Sequence, residues 1–360
     1  MNMNKIYLIN LTPLSTFFFG SEKSMGKAGE YNYLVHSLKF PQQTTLLGLL
    51  RFELLRQNGL LADPSAGKQL PTVATKLIGD SGFPTGNYGV VKKLSPVFLN
   101  QRIISDMKTK YNNWIVPGFD SSFGFIFQTN GASQLHNGEL PAMPLMNNYE
   151  PKNKYPPLLK CGDLKMKQDD IFIPQQQTGI TKRGSDEAFY KQTFYRFPAG
   201  WSFAFYVELD MPEGTKFENN TTWAGGENSI FDMKVTELNK NLIEEPGLTF
   251  PQTLSFENCT KITLVSPSFI TSEAYSHFDF AYSTTIPFRY LKSNVQHTLS
   301  YYSQNKDGTA GQINRSIMVE LFDRGSVFYF SNPKKTLNFI NALNSHEQFQ
   351  QIGYNYFTAS

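Results

Sequence analysis

Cysteine is almost missing: Cys161 and Cys259 are the only two in 360 residues. That excludes a disulfide framework and a four-thiolate zinc site, and it fits a reducing cytoplasm. No run approaches the ~20 apolar residues that a membrane-spanning helix needs. The opening MNMNKIYLINLTPL has neither the basic start and long apolar stretch nor the small-residue cleavage site of a secretory leader, so it reads as a first strand. Charge is sparse and balanced, with 33 Lys and Arg against 30 Asp and Glu and a net charge of +3, which argues against a disordered or histone-like chain. The five histidines (His36, His136, His277, His297, His346) include none at metal-ligand spacing from another His, Cys or carboxylate, so neither a metal nor a cofactor is expected. No Gly-x-Ser-x-Gly elbow occurs, and Cys161 lies in a proline-rich loop without a local partner.

What the chain does have is aromatic rings, 31 Phe and 18 Tyr but only 3 Trp, which suit strands around an aromatic interior. Strand-like runs cover 6–11, 31–40, 123–128, 188–197, 201–209, 229–235, 261–265 and 326–330, with Gly and Pro between them. Two helices are expected. The first, over 45–58, turns Leu46, Leu47, Leu49, Leu50, Leu54 and Leu55 to a core and leaves Arg51, Glu53 and Arg56 as polar positions, with Thr44 or Thr45 as cap and Gly59 as stop. The second runs from 334 to about 343. Residues 130–187 read as a long irregular insertion, mobile in part. ITLVSP at 262–267 echoes the first strand, INLTP at 9–13, as two similar α+β units would. The length accommodates two domains.

Charge divides the chain. Residues 1–71 carry 7 basic and 4 acidic side chains, 72–117 carry 6 and 2, and 151–200 carry 9 and 5, whereas 201–260 carry 3 and 10. A polyanion suits the basic segments and a separate protein surface the acidic one, although solvated charge gives the same counts.

Four local motifs follow. The loop Gly20 to Ala28 has five residues between Gly20 and Gly26 where a phosphate-binding nucleotide loop has four. It also puts Ala28 at the magnesium-binding hydroxyl and leads into a strand, which excludes an ATPase; a surface loop remains, with Lys23 and Lys27 free to touch phosphates. In FPQQTTLLGLLR, Pro41 turns an extended segment into the first helix, whose opening N–H groups can hold a phosphate, with side-chain hydrogen bonds from Gln42, Gln43, Thr44 and Thr45; an ordinary capped core helix fits the same residues. Lys182 and Arg183 lie on a glycine-flanked loop beside the aromatic run that contains Tyr190, an arrangement that suits an RNA backbone and stacked bases, or simply core rings. Trp223-Ala-Gly-Gly-Glu227 reads as a hairpin turn.

Taken in order, LTPLSTFFFG, FPQQTTLLGLLR, YGVVKKLSPVFL, TGITKRGSDEAFYKQTFYRF, WAGGE, ITLVSPSFI, RGSVFYF and QIGYNYF resemble the RAMP superfamily, and most closely the Cmr-type (type III-B) CRISPR subunit that caps the 5′ handle of the guide RNA. Two features depart from that pattern: the loop after the first strand lacks the family's acidic and arginine-rich residues, and its late Gly-x-Gly is reduced to Ile352-Gly353-Tyr354-Asn355. The resemblance implies an α+β fold of two ferredoxin-like (RRM-like) domains. The first would be an RNA-handle-binding domain over 1–240 with the insertion at about 130–187, then a connector over 241–260, then the second domain over 261–360. It implies a non-catalytic cytoplasmic protein without cofactor, bound to guide RNA, to the large polymerase-like subunit and to backbone subunits, and to no membrane. Phosphate contacts are assigned to Gln43, Thr44, Thr45 and Arg51, with Lys39, Lys182 and Arg183 as an outer cationic ring and Tyr190 as a stacking residue. Three alternatives stay open: a related type III-D subunit, a metal-independent endoribonuclease acting on precursor guide RNA through His36, and a β-rich scaffold without RNA.

Overall fold

The computed structural model describes residues 4–20, 24–25, 33–61, 72–79, 83, 86–105, 108–118, 125–127, 144–146, 158–180, 189–238, 259–290 and 316–359. Its centre is a nine-stranded sheet. The first strand, Lys5–Pro13, pairs antiparallel with Trp201–Leu209 on one side and Ile230–Leu238 on the other. Alternation sends Tyr7, Ile9 and Leu11 into the main core and Ile6 to the opposite face, where a smaller cluster covers it. Trp201–Leu209, buried along nearly its whole length, reads as a continuous apolar run because both of its faces are covered. Outward from it lie Phe98–Ser105, Lys108–Gly118, Leu158–Cys161 and Leu164–Met166, with Val91–Leu94 also paired to Trp201–Leu209, while Asn220–Trp223 is the far edge beyond Ile230–Leu238.

Helix α1, Gln43–Gln57, buries Leu46, Leu47, Leu49, Leu50, Leu54 and Leu55, as the leucine spacing requires. Gly59 follows in the left-handed region at φ 66°, the conformation expected just past a helix end. Two details differ from expectation. The N-cap is Gln42, whose side chain makes no cap bond, so neither Thr44 nor Thr45 has that task. Glu53 is not on a solvent face: it is fully buried, with Oε1 accepting from Thr222 Oγ1 at 2.6 Å and Oε2 accepting from Arg56 Nη2 at 2.7 Å and Gln57 Nε2 at 3.1 Å. Arg56 also donates to Thr221 O at 3.0 Å and Asn58 to Lys216 O at 3.0 Å, so the end of α1 covers the edge strand. Truncating Glu53 takes the acceptor from the buried Thr222 hydroxyl and from the partly exposed Arg56 guanidinium, which keeps Thr221 O. Glu53→Ala is therefore expected to cost about 1–3 kcal/mol, measured by urea unfolding; a loss below ~0.5 kcal/mol would show that the network contributes no more than a surface ion pair.

A second sheet orders Phe280–Tyr282, Val327–Tyr329, Lys261–Leu264 and Phe357–Ala359, all antiparallel. Besides the short helix α2, Thr72–Ile78, the C-terminal part carries α3, Pro333–Asn344, which packs Phe339, Ile340 and Leu343 on Phe328. Asn332 caps α3 by accepting from the Lys335 N–H at 3.0 Å, with Pro333 as the first helical residue. The internal echo has a structural counterpart: Lys5–Pro13 and Lys261–Leu264 are both interior strands, and each is soon followed by an isolated bridge, Phe18 to Gly226 and Ser268 to Phe322.

A third sheet joins Ile173–Ile180, Phe189–Arg196, Tyr33–His36 and Ser24–Met25, with Tyr33–His36 parallel to Phe189–Arg196. The strand expected over 31–40 is thus only four residues long, ending before Pro41. The 130–187 segment is not irregular throughout. Leu158–Cys161 and Leu164–Met166 extend the large sheet and Ile173–Ile180 belongs to the third; much of the remainder of 130–187 lies outside the described residues.

Candidate nucleic-acid interface

Between Tyr33–His36 and α1 the chain runs without regular structure, and there Ser37, Leu38, Lys39, Phe40, Pro41 and Gln42 line a cleft of about 200 Å³. Pro41 suits this extended approach because its fixed φ and missing N–H oppose a helix until the next turn. The start of the segment is pinned: Ser37 Oγ accepts from the Phe19 N–H at 2.8 Å, and the Leu38 N–H donates to Phe19 O at 2.8 Å. Gln168 completes the lining together with Pro267, Ile286, Asp323 and Arg324 from the C-terminal part of the chain.

Arg324 is the cleft's most unusual group. It is only 5% exposed, its Cζ lies 4.0 Å from the centroid of the Phe40 ring, and Nη1 donates to Val97 O at 3.0 Å. A guanidinium carries five donors, and among the described residues this is the one side-chain hydrogen bond it makes. Burial pulls its pKa down to about 10, against the opposing pull of Asp323 and Tyr354, so it remains a cation at neutral pH. A buried cation with unfilled donors, facing a cleft, is arranged to take an anion, and its planar fork matches phosphate oxygens. Lys39 is the second cation. Its Nζ lies 2.6 Å from Asp169 Oδ1, but that carboxylate is 73% exposed, so the pair is weak and open to a competing anion.

The mouth of α1 is closed. Tyr354, wholly buried, puts its hydroxyl against the Gln43 and Thr44 backbone groups and the Thr44 side chain, and donates to Gln42 Oε1 at 3.1 Å. Its own phenol pKa is pushed well up by burial. Gln43 is 1% exposed, with Nε2 donating to Ser95 O at 2.8 Å and Ile352 O at 2.9 Å, and Oε1 accepting from the Val97 N–H at 3.3 Å. The expected phosphate contact at this helix start is therefore corrected. Gln43 is a strut between the two parts of the chain, and Thr44 faces a tyrosine of the protein itself. Thr45, half-buried in the same first turn, donates its N–H to Gln42 O at 2.9 Å.

Of the remaining expected site residues, Lys39 lines the cleft. Arg51 is elsewhere, its Cζ 5.5 Å from the Tyr88 ring centroid, a ring whose phenol burial pushes up to about 12. Tyr190 pairs with Tyr33 across parallel strands, and its side chain, like Lys182 and Arg183, lies outside the described residues. His36, exposed at the end of its strand, immediately precedes the cleft segment. Among the described residues no cluster of His, Cys, Asp or Glu could hold a metal ion, and no helix is long and apolar enough to cross a membrane. The sequence reading missed Arg324 and Phe40. Arg324 stood in the quoted RGSVFYF block and Phe40 at the head of FPQQTT, but no spacing rule joins residues so far apart.

The chain is strand-dominated α/β, and among the described residues a buried arginine and a lysine line one small cleft. The family model described as "CRISPR-associated protein (Cas_Cmr3)" matches residues 9–81 and 163–359, and the chain belongs to that family. Among solved structures it is similar to a chain of the type III-B Cmr-beta complex bound to cognate target RNA and AMPPnP, at 16% identity and TM-score 0.46, over 97% of this chain and 94% of that one. It is also similar to a chain of the same complex bound to cognate target RNA, at 16% identity and TM-score 0.47, over 98% and 96%. A chain of the Csm3–Csm4 subcomplex of the type III-A interference complex matches at 9% identity and TM-score 0.36, over 90% and 92%. No curated protein matches. The chain is a Cmr-type subunit of a type III CRISPR effector.

Proposed function

We propose that the protein is the non-catalytic subunit that anchors the 5′ handle of the guide RNA, contacting the large polymerase-like subunit and a backbone subunit in the cytoplasm. In this reading, residues 1–240 and 261–360 are two ferredoxin-like units joined by 241–260. The supporting observation is the convergence of Arg324 and Lys39 on one cleft: a buried fork and a loosely paired ammonium, spaced around an opening suited to a backbone phosphate. In this reading Lys182 and Arg183 belong to an outer cationic ring and Tyr190 is a stacking residue.

Filter binding of guide RNA at two salt concentrations tests it. Affinity falls steeply as salt rises, and Lys39→Ala lowers the slope of log K against log salt by about one. Asp169→Asn, which removes the competitor for Lys39, tightens binding about two- to fivefold, the worth of an exposed ion pair. Salt-independent or absent binding would leave a scaffold. Single-turnover cleavage of repeat RNA, lost in His36→Ala, would instead make the protein an endoribonuclease.

A further inference from the structure

The far edge of the large sheet carries an apolar row that the cleft does not use. Ile230 pairs with Trp223 across one ladder, and the Leu14 N–H donates to Ile230 O at 3.0 Å across the other. Phe231 and Met233 face the core, so pleat alternation puts Ile230 on the opposite side with its cross-strand neighbours. All three apolar side chains are open to solvent: Leu14 is 60% exposed, Trp223 52% and Ile230 38%. The next row along the same face is Thr12, Asp232 and Thr221, also exposed. The backbone edge itself is not on offer, because Arg56 already bonds Thr221 O, so whatever binds does so on the face rather than by adding a strand.

The charge around this row sets the class of partner. Asp232 and Glu227 are exposed beside the row, with Lys234 one pair further along the same face, and the segment 201–238 as a whole carries seven acidic and two basic side chains. A polyanion is repelled there and finds its cations elsewhere on the chain. We infer that Leu14, Ile230 and Trp223 form a docking surface for a protein partner with an apolar tip and a basic rim, a neighbouring subunit of the effector assembly, with Trp223 as the anchor. A tryptophan in an apolar row next to carboxylates has the composition of an interface hot spot, and the acidic surround supplies complementary charge and register.

The inference rests on the assembly reading, and the tryptophans supply a probe that tests the two separately. Trp114 and Trp201 are buried at 2% and 5% exposure and pack on each other, ring centroids 5.8 Å apart, so Trp223 is the solvent-facing member of the three. The full chain is labelled with 5-fluorotryptophan, its resonances are assigned with Trp223→Phe, and it is reconstituted with guide RNA and the other subunits. The Trp223 resonance is expected to shift in the assembled complex and to stay put with guide RNA alone. Leu14→Asp and Asp232→Lys are each expected to weaken subunit retention by about tenfold or more, with unchanged RNA affinity. If the chain enters the complex and the resonance does not move, the docking surface is overturned while the assembly reading stands. A shift with RNA alone makes the row a base-stacking platform, and a shift that follows protein concentration makes it a self-association surface; either overturns the inference. A chain that does not assemble overturns both readings.

Discussion

Replacing Arg324 by methionine is expected to lower guide-RNA affinity about ten- to hundredfold while leaving thermal stability unchanged or raised. The first effect follows from charge-assisted hydrogen bonds, each contributing about 1.5–3 kcal/mol when one partner is ionised. The second follows from burial. In the free protein Arg324 is desolvated, is held by one bond to Val97 O, and stacks on Phe40. An apolar side chain of similar volume relieves the desolvation cost, at the loss of that stack and one carbonyl partner. Arg324→Lys keeps the charge but loses the planar fork, and is expected to fall between the two in affinity. The combination separates roles, since RNA binding and melting temperature move in different directions only for a group kept for its ligand. If Arg324→Met melts much earlier and binds RNA normally, the arginine is a clamp between the two parts of the chain and the cleft is not the phosphate site.

The elements most legible in the sequence are those whose environment is uniform along their length. Trp201–Leu209 was readable residue for residue because it is buried on both faces and Gly200 and Asp210 bracket it. Helix α1 was readable from its leucines and Gly59. The hairpin Phe98–Ser105 and Lys108–Gly118 was not, because one end lies in the core and the other runs out into solvent, so Asn100, Gln101 and Arg102 break any single alternation. Glu53 was misplaced because its burial depends on Thr222, a partner far away in sequence.

The site divides in the same way. The rule that a helix start attracts an anion describes α1 correctly, since its first N–H groups do need a partner. A residue more than 300 positions later supplies it: the Tyr354 hydroxyl fills that place. Local sequence shows the demand for an acceptor but not which group satisfies it. In the proposed reading the anion site therefore lies one step along the chain, in the extended segment before Gln43, where Arg324 stacks on Phe40 and Lys39 lines the same cleft. Lys39 lines that cleft, whereas Gln43 and Thr44 are engaged by the protein's own groups.

A large loss of stability is expected from a single methyl group, in Gly353→Ala. Gly353 sits at φ 91°, where an L side chain is strained by about 1–3 kcal/mol. A Cβ there would overlap Gln43 Nε2 and lie 2.6 Å from Ser95 O. Relief requires Gln43 to withdraw, yet its amide is the group that ties Ser95, Val97 and Ile352 together. Each buried polar group left without a partner costs about 1–3 kcal/mol more. Withdrawal would also move Tyr354 off the α1 start, because the glycine and the tyrosine are consecutive. The sum is about 4 kcal/mol or more, a cost reserved for a few named mechanisms, and it should appear as a large drop in the urea midpoint without a change in slope. Gly59→Ala is the matched control: it also has positive φ but nothing within 4 Å of its Cβ, so it pays the backbone strain alone. If the two substitutions cost the same, the packing of Gly353 on Gln43 contributes nothing, and the joint between the two parts of the chain is looser than these contacts require.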